Sequence, residues 1–274
     1  MTNSNSSNSP YILEMRNVSK TFPGVKALDQ INLRVKRGSV HALMGENGAG
    51  KSTLMKILYG IYIPDEGGEL ILDDKPFKPG RPIDAIRRGL TMVPQEISPA
   101  ANLTIADNFY LGREITKGKF FLNQKAMNEQ ASAILKELGV PMDVTEKMSD
   151  VSVAKAQLVA IATAVSNDAK VIIMDEPTTA LTENEVDQLY RIIETVKARG
   201  IAIIFISHKL DEVFRVSDEI TVIRDGQYVD TKPTKEVTKE QLISMMVGRD
   251  MSEMFQRERF ELSDEIVLEI KHFT

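Results

Sequence analysis

The sequence contains no cysteine, which excludes disulfide bonds and thiolate metal sites and agrees with a reducing compartment. Long apolar runs are also missing, because stretches such as Val171–Met174 and Ile201–Ile206 are far too short to span a bilayer. Neither sign of charge dominates: the net charge is -5, so nucleic acid is not expected as the main partner. The 274 residues, 42% hydrophobic and 27% charged, suit one large or two small globular domains, and any membrane role is expected to come through a partner.

The two ends of the chain differ in composition from its middle. Residues 1–10 are rich in Ser and Asn and lack both a basic start and an apolar segment, so they predict a disordered tail rather than a secretory signal. Residues 267–274 echo residues 12–19, and a charged stretch precedes them. We interpret 251–265 as a linker and 266–274 as the first strand of a second copy of the domain. On the match alone, two unrelated strand openings are about equally compatible with the sequence.

Apolar strands alternate with amphipathic helices along much of the chain, which predicts parallel strands covered by helices and therefore an α/β fold. The region 105–165 is helix-rich, with its clearest amphipathic helix at 124–138. The other predicted elements are strands at 12–18, 31–35, 40–44, 70–72, 91–93, 170–175, 202–207, 219–224 and 227–231, and helices at 52–59, 84–88, 183–199 and 239–247.

A glycine-rich segment joins the predicted strand at 40–44 to the helix at 52–59. It matches the pattern of a phosphate-binding loop, in which glycines let successive backbone N–H groups turn toward phosphate oxygens at a helix N-terminus. We expect Lys51 to reach the β- and γ-phosphates of ATP and the Ser52 hydroxyl to bind Mg²⁺. A glycine turn that merely caps a helix is the less favoured alternative. The predicted ATP-binding residues of this segment are Gly45, Glu46, Asn47, Gly48, Ala49, Gly50, Lys51, Ser52 and Thr53.

Two carboxylates follow the apolar strand at 171–174. Open α/β sheets bind ligands at the carboxyl ends of their strands. We therefore expect Asp175 to hold Mg²⁺ and Glu176 to polarise the attacking water. Acidic residues that simply face solvent at a strand end are the alternative, and the phosphate-binding loop upstream makes that alternative weaker.

Three further side chains become candidates through their order along the chain. His208 and Gln95 each follow a predicted strand, so both are expected at the same edge of the sheet. Either alone would more often be structural; after the loop and the acidic pair, His208 predicts a γ-phosphate contact and Gln95 a contact with Mg²⁺ or the water. Phe22, upstream of the loop, is expected to stack on adenine, although a core position beside a turn is equally compatible.

These motifs, in this order, resemble the nucleotide-binding domain of the ATP-binding-cassette superfamily, and the resemblance covers about Tyr11–Arg249. It implies a P-loop NTPase (RecA-like) core with an N-terminal antiparallel β part and a helical subdomain inserted at about 97–165, within a domain of residues 11–250. The implied activity is hydrolysis of ATP with Mg²⁺. The roles that the resemblance implies are adenine stacking for Phe22, the Q-loop for Gln95, the catalytic base for Glu176 and the switch histidine for His208.

Finer features are similar to the carbohydrate-importer branch of this superfamily, in particular the segments 22–28, 176–182 and 246–249. That branch implies the N-terminal cassette of a tandem ATPase for a bacterial monosaccharide importer. Segments 111–113 and 116–118 look most like the galactose/methyl-galactoside type, with ribose-type relatives close. The implied partners are a second cassette in the same chain or a homodimer, membrane permease subunits, and indirectly a periplasmic sugar-binding protein. The implied location is the cytoplasmic side of the bacterial inner membrane, where the protein would be peripheral. Nucleic acid is not among the implied partners.

Two positions depart from the family pattern. The signature, usually Leu-Ser-Gly-Gly-Gln, falls at a segment in which Ser152 is kept while Val153, Ala154 and Lys155 replace the last three residues. In the family this segment caps the γ-phosphate held by the opposite cassette, so a Cβ at Ala154 puts the site completed by this signature in doubt. Thr182 replaces an aspartate, as is common in the sugar branch.

Three other functions are compatible with parts of this pattern. A tandem cassette acting in translation or DNA repair is disfavoured by the short linker, the absence of cysteine and the acidic composition. A nucleotide-binding regulatory module without turnover is favoured only by the altered signature. A small-molecule kinase shares the phosphate-binding loop but does not explain the positions of Gln95 and His208.

Overall fold

The computed structural model describes residues 9–118 and 121–248. Most of the predicted tail at 1–10, the linker at 251–265 and the second-copy strand at 266–274 lie outside the described residues.

Within these two ranges the chain forms twelve strands and eight α-helices. The strands are β1 (Tyr11–Phe22), β2 (Val25–Lys36), β3 (Val40–Met44), β4 (Glu69–Leu72), β5 (Lys75–Pro76), β6 (Leu90–Val93), β7 (Thr116–Lys117), β8 (Phe121–Leu122), β9 (Val171–Asp175), β10 (Ala202–Ile206), β11 (Glu219–Arg224) and β12 (Gln227–Pro233). The helices are α1 (Lys51–Leu58), α2 (Pro82–Arg87), α3 (Ile105–Phe109), α4 (Gln124–Glu137), α5 (Val153–Ser166), α6 (Glu183–Ala198), α7 (Leu210–Val216) and α8 (Lys239–Val247).

Ten of the strands form one sheet in the order β5-β4-β1-β2-β12-β11-β3-β10-β9-β6. The five strands from β11 to β6 run parallel, whereas β1 pairs antiparallel with both β2 and β4. Because parallel strands carry their carboxyl ends to one edge, the segments that follow β3, β6, β9 and β10 meet there. The α/β prediction is therefore confirmed, including its antiparallel β part.

The central strands are apolar along their whole length because helices or strands cover both faces of the sheet. In β9, Ile172 and Met174 face a core that they share with α5 and α6. Val171 and Ile173 face the opposite core, which contains α1 and the antiparallel strands. β10 divides its residues between the same two cores. A continuous apolar run therefore predicts these strands better than a two-residue alternation does.

Helices α3, α4 and α5 come between β6 and β9 along the sequence and share one apolar core. Thr104 begins α3 with a capping box to Asp107, and Asn123 caps α4, accepting a hydrogen bond from the Ala126 backbone N–H at 3.3 Å. The predicted helix at 124–138 is thus confirmed to within one residue. No helix among residues 9–118 and 121–248 is long and apolar enough to cross a membrane.

The first two strands are longer than predicted. The sequence predicts strands at 12–18 and 31–35, but the structure forms β1 and β2 as a hairpin that continues up to the pair Phe22 and Val25. Apart from the buried Leu28, the added residues near the turn are exposed or half-buried, so they lack the apolar pattern that predicts a strand. Backbone pairing across the tight turn, rather than burial, keeps them extended.

Candidate functional site

The glycine-rich loop between β3 and α1 is shaped by contacts with β11 and with the turn that follows it. Gly45 has a φ of 154°, and a Cβ there would lie 2.2 Å from the Ile223 carbonyl oxygen. Gly48 also has positive φ, 86°, but a Cβ would meet nothing within 4 Å. The Gly226 N–H donates to the Ala49 carbonyl at 3.1 Å. One end of the loop is therefore fixed against the sheet while its tip stays open to a ligand.

Lys51 begins α1, and its ammonium group turns back over the loop. Nζ donates to the carbonyl of Gly45 at 2.7 Å and to that of Glu46 at 2.9 Å. Burial lowers the pKa of Lys51, and the nearby carboxylates of Glu176 and Asp175 act in the opposite direction. A cation held this way beside exposed backbone N–H groups can attract a phosphate.

The acidic pair lies at the end of β9. Burial raises the pKa of Asp175, the neighbouring Glu176 charge raises it further, and Lys51 lowers it. Glu176 has a φ of 48°, unusual for a residue with a side chain, and its N–H donates to the Ile206 carbonyl at 2.9 Å. This bond joins the end of β9 to the end of β10, two residues before His208.

His208 and Glu176 form a direct pair. Nδ1 of His208 lies 2.7 Å from one Glu176 carboxylate oxygen and 2.6 Å from the other. The His208 side chain is 62% exposed and that of Glu176 only 17%. The imidazole therefore lies over a carboxylate that is mostly shielded from water, and its outer edge remains free to meet a ligand.

A cleft of about 240 Å³ opens over the loop and the acidic pair. Gln95 follows β6 and lines this cleft together with Asp175, as predicted from their positions after neighbouring strands. Ala27 and Ile206 line it too, and nothing in their residue type could have predicted that. The residues that line the cleft are Ala27, Asn47, Gly48, Gly50, Lys51, Ser52, Thr53, Gln95, Asp175, Glu176 and Ile206.

Phe22, at the end of β1, does not belong to the lining of this cleft. Its ring meets Tyr62 edge-on, with centroids 5.2 Å apart and an interplanar angle of 75°. Lys20 Nζ lies 5.4 Å from the Phe22 centroid. Phe22 is half-buried, so stacking on adenine stays a prediction.

The signature segment lies at the start of α5, outside the cleft lining of its own chain. Ser152 is the N-cap residue, and its hydroxyl accepts a hydrogen bond from the Lys155 N–H at 3.3 Å. Ala154 is 7% exposed, whereas Val153 is 67% exposed. The methyl group of Ala154 is thus buried in its own chain, whereas Val153 and Lys155 are exposed and change the outer surface at this helix start.

A buried carboxylate that the sequence does not reveal lies beside the site. Glu212, in α7, is 8% exposed. The Thr178 hydroxyl lies 2.7 and 2.8 Å from its two oxygens, and the Ser207 hydroxyl donates to it at 2.9 Å. The only signal in the sequence was an acidic residue four positions after His208, which is indistinguishable there from an ordinary solvated residue.

The cleft offers oxygen donors that fit Mg²⁺, which prefers an octahedral set of oxygens and keeps several waters or phosphate oxygens. Ser52, Gln95 and Asp175 all line it. Among the described residues, no cluster of three His, Asp or Glu side chains could hold a metal by itself. A cation here would therefore need further ligands from outside the chain, such as phosphate oxygens of a nucleotide or water.

Comparisons with known proteins agree with this geometry. The family model described as ABC transporter matches residues 28–179. The galactose/methyl galactoside import ATP-binding protein of Yersinia pestis is 48% identical over 265 residues, which is 96% of this chain and 52% of that protein. The corresponding protein of Fusobacterium nucleatum is 47% identical over 267 residues, or 97% of this chain and 53% of that protein. The chain spans about half the length of these relatives.

Solved structures give the same result. An ATP-binding cassette of an ABC transporter in its ADP conformation is 26% identical, with a TM-score of 0.74, covering 91% of this chain and 100% of that one. A nucleotide-free ATP-binding cassette is 27% identical, with a TM-score of 0.73, covering 88% of this chain and 96% of that one.

Proposed function

The chain belongs to the ABC transporter family, and from this premise we propose that it binds ATP with Mg²⁺ in the cleft above Lys51 and hydrolyses it. It does so as the first cassette of a bacterial importer that takes up a monosaccharide. The observation that carries the proposal is the pairing of His208 with Glu176 at 2.6–2.7 Å beside the cleft that Lys51 and Asp175 line. These groups come from three separate segments of the chain.

Each group has a role in the proposed reaction. The loop N–H groups and Lys51 bind the β- and γ-phosphates, and Phe22 stacks on adenine. Mg²⁺, held by Ser52, Asp175 and Gln95 together with the phosphates, would neutralise charge that develops on the phosphate oxygens. Glu176 accepts a proton from the attacking water as it approaches the γ-phosphorus in line. His208 keeps the Glu176 carboxylate in place and offers its free edge to the γ-phosphate.

The arrangement of the signature supports a two-cassette mechanism. Residues 152–155 lie outside the cleft of their own chain, so they are available to close the cleft of a facing cassette. We propose that the facing cassette is a second domain of the same protein or a second copy of this chain. Closure then reaches membrane permease subunits through the segment after Gln95 and the helices α3–α5, on the cytoplasmic side of the inner membrane.

The sugar is proposed by similarity to the relatives. Proteins 47–48% identical to this chain are named for import of galactose and methyl galactoside, so we propose a monosaccharide of that type, delivered by a periplasmic binding protein. No residue of the cleft is expected to touch the sugar. Uptake of labelled galactose and ribose in a strain that lacks the gene would distinguish the two sugars.

The proposal is tested by Glu176→Gln, which keeps the shape of the side chain but removes the proton acceptor. ATP hydrolysis should fall about 100-fold or more, whereas ATP affinity should stay within about two-fold, because the loop and Lys51 are unchanged. Single-turnover phosphate release and a fluorescent-nucleotide titration measure the two quantities. Lys51→Ala is the opposite control and should lose nucleotide binding itself.

Unchanged turnover in Glu176→Gln would contradict the assigned role. If the chain binds nucleotide but releases no phosphate when permease subunits are present, a regulatory cassette would be favoured instead. The structural observation that supports this alternative is the exposed Val153 in the signature. Co-sedimentation with ribosomes or DNA would favour a translation or repair factor.

A further inference from the structure

The buried carboxylate of Glu212 lies between the two segments that carry the reacting pair. Thr178 is two residues after Glu176, and Ser207 is the residue directly before His208. Both hydroxyls contact the same carboxylate, at 2.7–2.8 Å from Thr178 and 2.9 Å from Ser207. Glu212 therefore joins the segment after β9 to the segment after β10 through side chains.

The carboxylate of Glu212 also has a cationic partner. Besides the two hydroxyls, Lys209 Nζ lies 3.1 Å from it, while the Lys209 side chain stays half-exposed. On α6, burial and then the nearby charge of Glu212 raise the pKa of Tyr190 to about 12. Burying a carboxylate is unfavourable unless it accepts such hydrogen bonds. The surrounding donors therefore require a hydrogen-bond acceptor at position 212, and a polar side chain that only donates would not replace it.

We propose that Glu212 is a positioning residue for ATP hydrolysis: it accepts hydrogen bonds from Thr178 and Ser207 and so holds Glu176 and His208 within contact of each other. This inference rests on the proposed ATPase function. Glu212 is not among the residues that line the cleft; it acts through the two backbone segments that carry Thr178 and Ser207. Without it, two buried hydroxyls lose their acceptor and the segments lose their shared anchor.

The alternative is that Glu212 only stabilises the start of α7. Asp211 is the neighbouring acidic residue in the same first turn, its side chain is 86% exposed, and it pairs with Lys239 instead. If an acidic residue at the helix start were the important feature, the two positions would behave alike. Asp211→Asn is therefore the matched control for Glu212→Gln.

The experiment measures ATP binding and single-turnover hydrolysis in the chain carrying Glu212→Gln. The facing cassette of the proposed mechanism, a second copy of this chain loaded with nucleotide, is supplied equally to all variants. The amide keeps one acceptor oxygen but presents its NH₂ group to a hydroxyl. Hydrolysis should fall about 10-fold or more, since small misplacements of reacting groups have effects of that size. The dissociation constant for Mg-ATP should change less than about two-fold, because the loop around Lys51 is untouched. Asp211→Asn should keep the wild-type rate.

Thr178→Val and Ser207→Ala each remove one of the two hydroxyls. Each should reproduce part of the Glu212→Gln loss, and adding Thr178→Val to Glu212→Gln should lower the rate little further, because both act through the same contact. These variants also decide the matter if Glu212→Gln melts at a much lower temperature than the wild type. Fully additive losses, an equal loss in Asp211→Asn, or a wild-type rate in Glu212→Gln would each overturn the positioning role. A wild-type chain without any turnover would contradict the proposed function instead.

Discussion

Two glycines in the loop before α1, Gly45 and Gly48, both have positive φ, 154° and 86°, but differ in their surroundings. A Cβ at Gly45 would lie 2.2 Å from the Ile223 carbonyl oxygen, whereas one at Gly48 would meet nothing within 4 Å. Gly48→Ala should therefore lower the free energy of unfolding only by the strain of positive φ, about 1 kcal/mol. Gly45→Ala adds a backbone clash and should lower it by about 3 kcal/mol. Urea unfolding of both variants measures the difference, and equal losses would mean that strain alone explains the glycine at position 45.

At the same scale, the residues that could be predicted from the sequence are those in dense motifs. Lys51 and Asp175 could be assigned because a loop pattern or a buried strand places them. Glu212 could not, because a single acidic residue on a short helix carries no pattern and its partners are 34 and 5 positions away in the sequence. The exposure of Val153 was also missed, because which face of α5 is buried depends on packing against distant elements.

At the scale of elements, the turn between β4 and β5 is tied to two other connections. Asp73 and Asp74 both have positive φ, as in a two-residue hairpin turn. Asp73 pairs with Lys170 at 2.6 Å and with Arg37 at 2.7 Å. Hydrogen bonds from Lys170 and then Arg37 lower the pKa of Asp73 to about 2. One carboxylate thus joins the hairpin to the segments that precede β3 and β9.

Asp73→Asn keeps the size of the side chain and its tolerance of positive φ but removes this charge. Because the pKa of Asp73 is lower in the folded chain than the usual 3.8, its charge stabilises the fold above pH 4. That contribution disappears as the pH falls through the range from about 4 to 2. At pH 7 the variant should lose about 1 kcal/mol of unfolding free energy, a value reduced for solvent screening.

Chemical denaturation at several pH values checks this prediction. Wild type and Asp73→Asn should converge near pH 2. Asp74→Asn is in the same turn, but among the described residues Asp74 has an ion pair with Arg37 alone, so this variant should lose less at pH 7. A difference between wild type and Asp73→Asn that stays constant down to pH 2 would show that packing, and not charge, explains the loss.

The elements that the sequence predicted well are those whose pattern records burial on both faces or on one stripe. Strands β3, β9 and β10 and helix α6 fall within a residue or two of their predicted bounds. The far ends of β1 and β2, the short hairpin of β7 and β8, and helix α7 were not predicted. Their residues are held by pairing with a neighbouring strand or by packing on distant parts of the chain, and neither leaves a periodic signal in a short segment.

At the scale of the whole molecule, the signature lies outside the cleft of its own chain. The cleft is lined by residues from 27 to 206, and none of residues 152–155 is among them. The chain also spans about half the length of the relatives it matches. Because the proposed mechanism closes the cleft with the signature of a facing cassette, one copy by itself is expected to hydrolyse ATP weakly.

Two copies of the chain should consequently associate when ATP occupies both clefts. Sedimentation velocity with Glu176→Gln, which should retain unhydrolysed ATP, is expected to show a shift from monomer to dimer on adding Mg-ATP, and Lys51→Ala should stay monomeric. Val153→Glu adds a charge at a position that is 67% exposed. It should prevent the dimer through repulsion of the phosphates in the facing cleft, without changing ATP affinity of the monomer. A dimer that forms equally well with Val153→Glu would mean that the two copies meet through another surface, in which case residues 152–155 do not close the facing site.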